Sequence, residues 1–182
     1  MSTRIDLTRL PRSLMGIWAH PGDEAHLSAG LMAGMADAGR PVTVLTMTRG
    51  EKGTSDPADY DQPHFAARRE RELRASLAEL GVDDVRVAGF RDGECDLVDN
   101  ELAISAIVAT IAEVRPDVVL TFGPDGITGH RDHRTVSRWA TEAWRRLDGV
   151  DLLYATTGGG IRRPTALEAS TCSICSPLEL VH

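Results

Sequence analysis

At 182 residues, with 42% hydrophobic residues, the chain is sized for one domain that buries a self-supporting core. A formal net charge of -7, from 20 Lys+Arg against 27 Asp+Glu, argues against bulk nucleic-acid binding, which needs basic surface to displace counterions from phosphates. No apolar run approaches the ~18 residues that span a bilayer, and Met1 to Arg12 is polar, so no membrane span, no signal peptide and a cytoplasmic location are expected.

Leu14 to Ala19 reads as a short buried strand. Glu24 to Ala38 reads as a helix with Leu27, Leu31, Met35 and Ala38 at near-helical spacing and Gly39 as its stop. Val42 to Thr48 is β-branched and bounded by Pro41 and Gly50, a second strand that lies parallel to the first after a helical crossover. Arg49 to Pro63 carries Gly50, Gly53, Pro57 and Pro63 among polar residues, and a loop of that length is expected to border a site. Phe65 to Leu80 is helical, with Phe65, Leu73, Leu77 and Leu80 inward and Arg68 to Glu72 read as a solvated, charge-paired face.

Val85 to Phe90 is a third strand, with Arg91-Asp92-Gly93-Glu94 as the turn at its end. Asn100 to Val114 is a helix with Leu102, Ile104, Ile107, Val108 and Ile111 on a broad apolar stripe, and Pro116 biases Arg115 away from helical geometry. Asp117 to Phe122 is a fourth strand, Gly123 to Gly129 a Gly-rich turn, Asp132 to Leu147 a helix and Leu152 to Thr156 a fifth strand. The alternation implies an α/β fold, an open, mostly parallel sheet with helices on both faces, in which ligands bind outside the carboxyl ends of the strands. Residues 1–157 are assigned to this domain and 158–182, which begin Gly158-Gly159-Gly160 and lack periodicity, to an atypical tail. Cys95, Cys172 and Cys175 are an odd set without secretory context; Cys172 and Cys175 have C-x-x-C spacing but no second pair, and all three are expected to be inert thiols.

Two polar motifs stand at strand ends: Ala19-His20-Pro21-Gly22-Asp23-Glu24 after the first strand, and Gly129-His130-Arg131-Asp132-His133 after the fourth. His20, Asp23 and His133 supply the three His or Asp ligands that hold a hydrolytic Zn²⁺ while leaving a position for water. Histidines converging from paired strand ends are better explained by a metal than by chance.

These motifs resemble the A-H-P-D-D-E and G-H-x-D-H signatures of the LmbE-like, or PIG-L, zinc-dependent N-deacetylases. The resemblance extends over roughly residues 13–157 and includes Thr48-Arg49-Gly50-Glu51, Arg68 to Leu73 and Arg91-Asp92-Gly93. It implies a Rossmann-like fold and hydrolysis of an N-acyl group, usually acetyl, from an amino-sugar conjugate of the N-acetylglucosaminyl type. It further implies that His20, Asp23 and His133 bind Zn²⁺. His130 would stabilise the oxyanion and protonate the leaving amine, with Asp132 orienting it, and Arg49 would touch sugar hydroxyls.

Where the signature has its general base, this chain has Gly22, which accepts no proton. General-base catalysis contributes ~10²–10⁴-fold, so a slower enzyme is expected, and Glu24 is the nearest carboxylate in sequence, at a place where its ordinary role is to complement the helix dipole. The alternative is a catalytically silent zinc- or sugar-binding protein of the same fold. A metal-free nucleotide-binding module finds no support, since no G-x-G-x-x-G follows the first strand. Family members continue past the fifth strand into segments that wall the pocket and support oligomers, and the resemblance is compatible with a homo-oligomer.

Overall fold

The structure, a computed structural model, describes residues 10–54, 56, 63–156 and 160–170. In chain order it contains β1 (Leu14–Trp18), α1 (Asp23–Asp37), β2 (Val42–Thr48), α2 (Pro63–Glu79), β3 (Asp84–Phe90) and a 3-10 turn (Cys95–Leu97). There follow α3 (Asn100–Val114), β4 (Val118–Phe122), α4 (Gly126–Gly129), α5 (Arg131–Arg145), β5 (Asp151–Ala155), β6 (Ile161–Arg162) and α6 (Ala166–Ser170).

The sheet runs β3-β2-β1-β4-β5-β6, with the first five strands parallel and β6 antiparallel to β5. The chain steps outward from β1 to β3, then returns to the far side of β1 and continues to β5. Right-handed crossovers in these two opposite directions place α1 and α2 on one face and α3 and α5 on the other. Every residue of β1, β2 and β4 is buried, as expected of strands covered on both faces. Trp18, Phe122, Trp139 and Tyr154 are the largest fully buried side chains. Arg115 ends α3 in left-handed geometry (φ 52), its N–H donating to Ile111 O, and so leaves the right-handed helical region that the following Pro116 disfavours.

The elements match the expected pattern, but two helix faces and one turn differ. On α1 the buried residues are Glu24, Ser28, Met32 and Met35, while Leu27 and Leu31 are only half buried and Ala38 is exposed. Ser28 enters the buried stripe because its hydroxyl donates to Glu24 O at 2.8 Å and so brings no unpaired group inside. On α3 the inward position belongs to Ala103, and Leu102 is 61% exposed. The Gly-rich stretch after β4 contains a single helical turn, α4, in which Ile127 takes φ 64.

Part of the stretch read as a tail joins the sheet: Ile161 pairs with Ala155 and Arg162 with Tyr154. The Arg162 guanidinium lies 5.3 Å over the Tyr154 ring and bonds both Glu168 carboxylate oxygens at 2.8 Å. Cys172 and Cys175 lie outside the described residues, and Cys95 is a buried free thiol. No helix among the described residues is long and apolar enough to cross a membrane.

Candidate metal centre and active site

β1 lies between β2 and β4, so the chain reverses its strand order between β1 and β4 and opens a crevice at their carboxyl ends. The turn after β1 delivers His20 and Asp23. Asp23 Oδ2 accepts from His20 N at 2.8 Å, and Asp23 N donates back to His20 O at 3.2 Å, which fixes both residues before α1 begins. Gly22 caps α1 with φ 105, a conformation that L side chains rarely adopt. From the other side, His130 caps α5, its Nδ1 accepting from Asp132 N at 3.2 Å, and the first turn of α5 presents Asp132 and His133. Phe122, the last residue of β4, stacks under the His133 ring at 4.2 Å between centroids, so the core itself floors the site.

His20 Nδ1 stands 3.2 Å from His133 Nε2 and 3.6 Å from Asp23 Oδ2, while Asp23 Oδ1 stands 3.4 Å from His133 Nε2. The two Asp23 distances run to different oxygens of its carboxylate; ligand atoms about a tetrahedral Zn²⁺ with bonds of 2.0–2.1 Å lie about 3.3 Å apart, close to these separations. The far sides of the rings agree. His20 Nε2 is 3.1 Å from Asp132 Oδ2 and 3.0 Å from Asp92 Oδ1, and His133 Nδ1 is 3.1 Å from Gly126 O. With those nitrogens donating, both rings would turn a lone pair toward Asp23 once His20 Nδ1 gives up its proton, the arrangement that orients histidine ligands.

Two further groups have donor atoms within 4.8 Å of one another, His20 with His130 and His133, and His20 with Asp92 and Asp132. The second is the weaker candidate, because its oxygens are already spent. Asp132 Oδ2 also accepts from Gly93 N at 2.7 Å and Oδ1 from Cys95 N at 3.3 Å, while Asp92 Oδ2 accepts from Lys52 N at 2.9 Å.

The charges are tightly coupled. Burial works against a charged His20, yet its contacts with Asp132, Asp23 and Asp92 raise it to about 11, so the metal-free ring is an imidazolium. Burial likewise opposes ionisation of Asp92 and Asp132, but hydrogen bonding to His20 holds both below the ordinary carboxylate range. Burial lowers His133. Glu24 is raised by burial and is turned back on its own turn, both its oxygens accepting from Gly22 N at 3.1 and 3.0 Å.

His20, Asp23, His130, Asp132 and His133 thus come together, with His130 exposed and its ring centroid 5.0 Å from that of His20. The carboxylate of Asp132 faces His20 rather than the His130 ring it was expected to orient. Arg49 is half-exposed and pairs with Glu70 at 3.4 Å. A cavity of about 320 Å³ beside the cluster is lined instead by Arg69, with His20, Gly50, Gly53, Asp92 and His130 among its other walls. Cavities of about 330 and 420 Å³ lie elsewhere on α5 and α1, but neither holds a histidine–carboxylate cluster, so chemistry rather than size selects the site. Sequence reasoning placed Asp92 and Arg69 in stretches that share the family resemblance but gave neither an individual role. Asp92 carried a signal, a carboxylate in the turn closing a parallel strand, whereas Arg69 was hidden in a run of helix charges whose other members do pair along the surface.

The profile of the family described as "PIG-L: GlcNAc-PI de-N-acetylase" matches residues 15–144. The 1D-myo-inositol 2-acetamido-2-deoxy-alpha-D-glucopyranoside deacetylase of Streptomyces griseus is 36% identical over 158 residues, covering 72% of this chain and 48% of the relative. The chain therefore spans about half the length of that curated relative. Among solved structures, N,N'-diacetylchitobiose deacetylase from Pyrococcus horikoshii aligns with TM-score 0.71 at 24% identity, over 81% of this chain and 61% of that one. The 4-carboxy-2-hydroxymuconate hydratase GalB from Pseudomonas putida KT2440 aligns with TM-score 0.64 at 20% identity, over 78% and 64%, so the shared architecture alone does not name a reaction. Both motifs fall within the matched residues, on the crevice described above, and the chain belongs to the PIG-L (LmbE-like) family.

Proposed function

We propose that the chain is a zinc-dependent N-deacetylase acting on an N-acetylglucosaminyl-type conjugate, with residues 1–157 forming the hydrolase domain and 158–182 an atypical extension. The observation that carries this reading is the approach of His20 Nδ1 to His133 Nε2 at 3.2 Å with the Asp23 carboxylate beside both, one oxygen 3.6 Å from the first and the other 3.4 Å from the second, separations near those of ligands about a tetrahedral ion. The relative from Streptomyces griseus is a deacetylase of such a sugar conjugate, which supports the substrate class. A zinc ion held there supplies a more acidic water and a polarised acyl carbonyl.

The chain's own residues do the remaining work. Asp132 and Asp92 hold the His20 ring in the tautomer that faces the site, and the Gly126 carbonyl does the same for His133. His130, exposed at the mouth, stabilises the developing oxyanion and gives a proton to the departing amine. Arg49, on the loop after β2, contacts sugar hydroxyls where its pairing with Glu70 allows. Gly22 offers no proton acceptor, and Glu24 is buried against the Gly22 amide, so hydrolysis is slower than a site with a built-in base allows.

That same vacancy favours a second reading, a zinc- or sugar-binding protein without turnover. Amine release from N-acetylglucosaminyl inositol by the zinc-loaded chain, measured beside Gly22→Asp, separates them. The deacetylase reading expects slow release that the variant accelerates; zinc binding by both with no release from either would favour the silent protein.

A further inference from the structure

The cavity of about 330 Å³ on α5 has no part in the arrangement above. Arg134 and Arg138 line it one helical turn apart, together with Arg145, Tyr154 of β5 and Glu168 of α6. Like charges at i and i+4 disfavour a helix, and a chain with 27 Asp+Glu has carboxylates enough to pair them. Neither arginine is paired with one. Arg134 gives its Nε to the backbone oxygen of Asp125 at 3.3 Å, and Arg138 gives Nη2 to Asn100 Oδ1 at 3.3 Å. The Nε of Arg138 is buried without a partner and closed to any ligand. Both Nη groups of Arg134 and Nη1 of Arg138 remain, with no acceptor among the described residues.

The other polar groups around the cavity are already matched. Glu168 accepts from Arg162 on both carboxylate oxygens at 2.8 Å, and Arg145 bonds Glu142 Oε2 at 3.1 Å and the Glu168 carbonyl. Asp125 Oδ1 accepts from Ile127 N at 3.2 Å and so caps its own turn. The hydroxyls have no proton left to give. Ser137 Oγ donates to Phe122 O at 2.8 Å and Thr141 Oγ1 to Ser137 O at 2.7 Å, so the Tyr154 hydroxyl, 2.7 Å from Thr141 Oγ1, is the donor of that pair. An acceptor-rich ligand therefore finds its side-chain donors on Arg134 and Arg138.

We propose that this cavity is a binding site for a phosphoryl group, held between Arg134 and Arg138. The three open Nη groups correspond to its three terminal oxygens, and the two unpaired guanidinium charges to its charge of about −1.5 to −2 at pH 7; a carboxylate brings two oxygens and one charge. Bound there, the group cancels the repulsion between the two arginines. The volume falls within the ~300–1,000 Å³ of small-molecule sites, so the phosphoryl group arrives either as free phosphate or on a small organic molecule. The site is separate from the metal centre, and its existence does not depend on the deacetylase reading.

Isothermal titration of the full 182-residue chain with inorganic phosphate, in chloride of matched ionic strength, tests the site without any turnover. Binding saturates, and Arg134→Gln and Arg138→Gln each weaken it at least about tenfold. Arg134→Lys falls between, because it keeps the charge and loses the fork of donors. Arg71→Gln, which removes the same charge from an exposed position on α2, stays within about twofold of wild type. Arg134 is exposed, so its variants carry the test if loss of the half-buried Arg138 unfolds the chain. Glycerol 1-phosphate that binds more tightly than phosphate makes the ligand an organic phosphate; binding no tighter makes it the free ion.

Phosphate binding that is absent, or unchanged in both glutamine variants, overturns the site. An equal loss in Arg71→Gln overturns it too, since diffuse attraction would then suffice. Acetate that competes as well as phosphate at the same ionic strength overturns the phosphoryl assignment.

Discussion

Asp132→Asn changes the proposed centre with almost no change of shape. The fully buried carboxylate takes His20 Nε2 at 3.1 Å and Gly93 N at 2.7 Å on one oxygen and Cys95 N at 3.3 Å on the other. An amide keeps one accepting oxygen, so its NH₂ must face either the His20 and Gly93 side or the Cys95 side. One buried donor is then left opposite a donor, at about 1–3 kcal/mol. For a chain of this length that is a fall in Tm of about 2–4 °C per kcal/mol.

Metal affinity responds separately. Losing the charged partner of a histidine ligand costs about 10–100-fold, or about 1.4–2.7 kcal/mol. Asp92 Oδ1, 3.0 Å from the same Nε2, keeps the ring oriented and holds the expected loss toward the lower end. Competitive titration of zinc against a chromophoric chelator reads the affinity, and thermal denaturation of the metal-free chain reads the stability. A folded Asp132→Asn variant that binds zinc within about twofold of wild type would refute the claim that Asp132 acts through His20 on the metal.

Zinc binding to the metal-free chain at pH 8 should release about one proton, because His20, held at about 11, must surrender its proton to become a ligand. Calorimetry in buffers of different ionisation enthalpy measures this, and release of none would contradict the His20 ligand role. Since that value lies above the ordinary 6.5, His20 stabilises the metal-free fold fully below pH 6.5 and loses this contribution as pH rises toward 11, while zinc affinity climbs over the same window. Gly22→Asp meets open space but takes on a φ of 105, so its Tm should drop by the equivalent of about 1–3 kcal/mol even as amine release rises; an unchanged rate in the folded variant would remove Gly22 as the limiting position. Gly16→Ala would put a Cβ 2.5 Å from Trp18 Nε1 in the core, an overpacking worth about 1–3 kcal/mol in thermal or urea denaturation. Asn100→Ala removes the acceptor 2.7 Å from the buried Trp139 Nε1 and should cost a further ~1–3 kcal/mol by the same measurement, with zinc affinity untouched.

The strands were legible because they are buried on both faces, so Leu14–Trp18, Val42–Thr48 and Val118–Phe122 read as apolar, β-branched runs without charges between Gly and Pro signals. Helix faces were less so. Leu27, Leu31 and Leu102 are apolar and periodic, yet the buried stripe is shared with small or internally satisfied residues such as Ala103 and Ser28, which hydrophobicity alone does not single out. Arg162 shows a different limit: two residues of β6 are too few to carry a period, and their pairing depends on an edge that β5 offers only once the sheet exists.

By itself the sequence determined the parallel α/β class and the two strand-end motifs, and proposed the His20, Asp23 and His133 set, because periodicity and ligand chemistry are local properties. Tertiary structure alone decided what surrounds them. Asp92, Asp132 and Arg69 lie 72, 112 and 49 residues from His20, and only the placement of β1 between β2 and β4 brings them to one crevice. There, burial and neighbouring carboxylates fix how the His20 ring is held, which acids are already occupied, and which arginine walls the cavity.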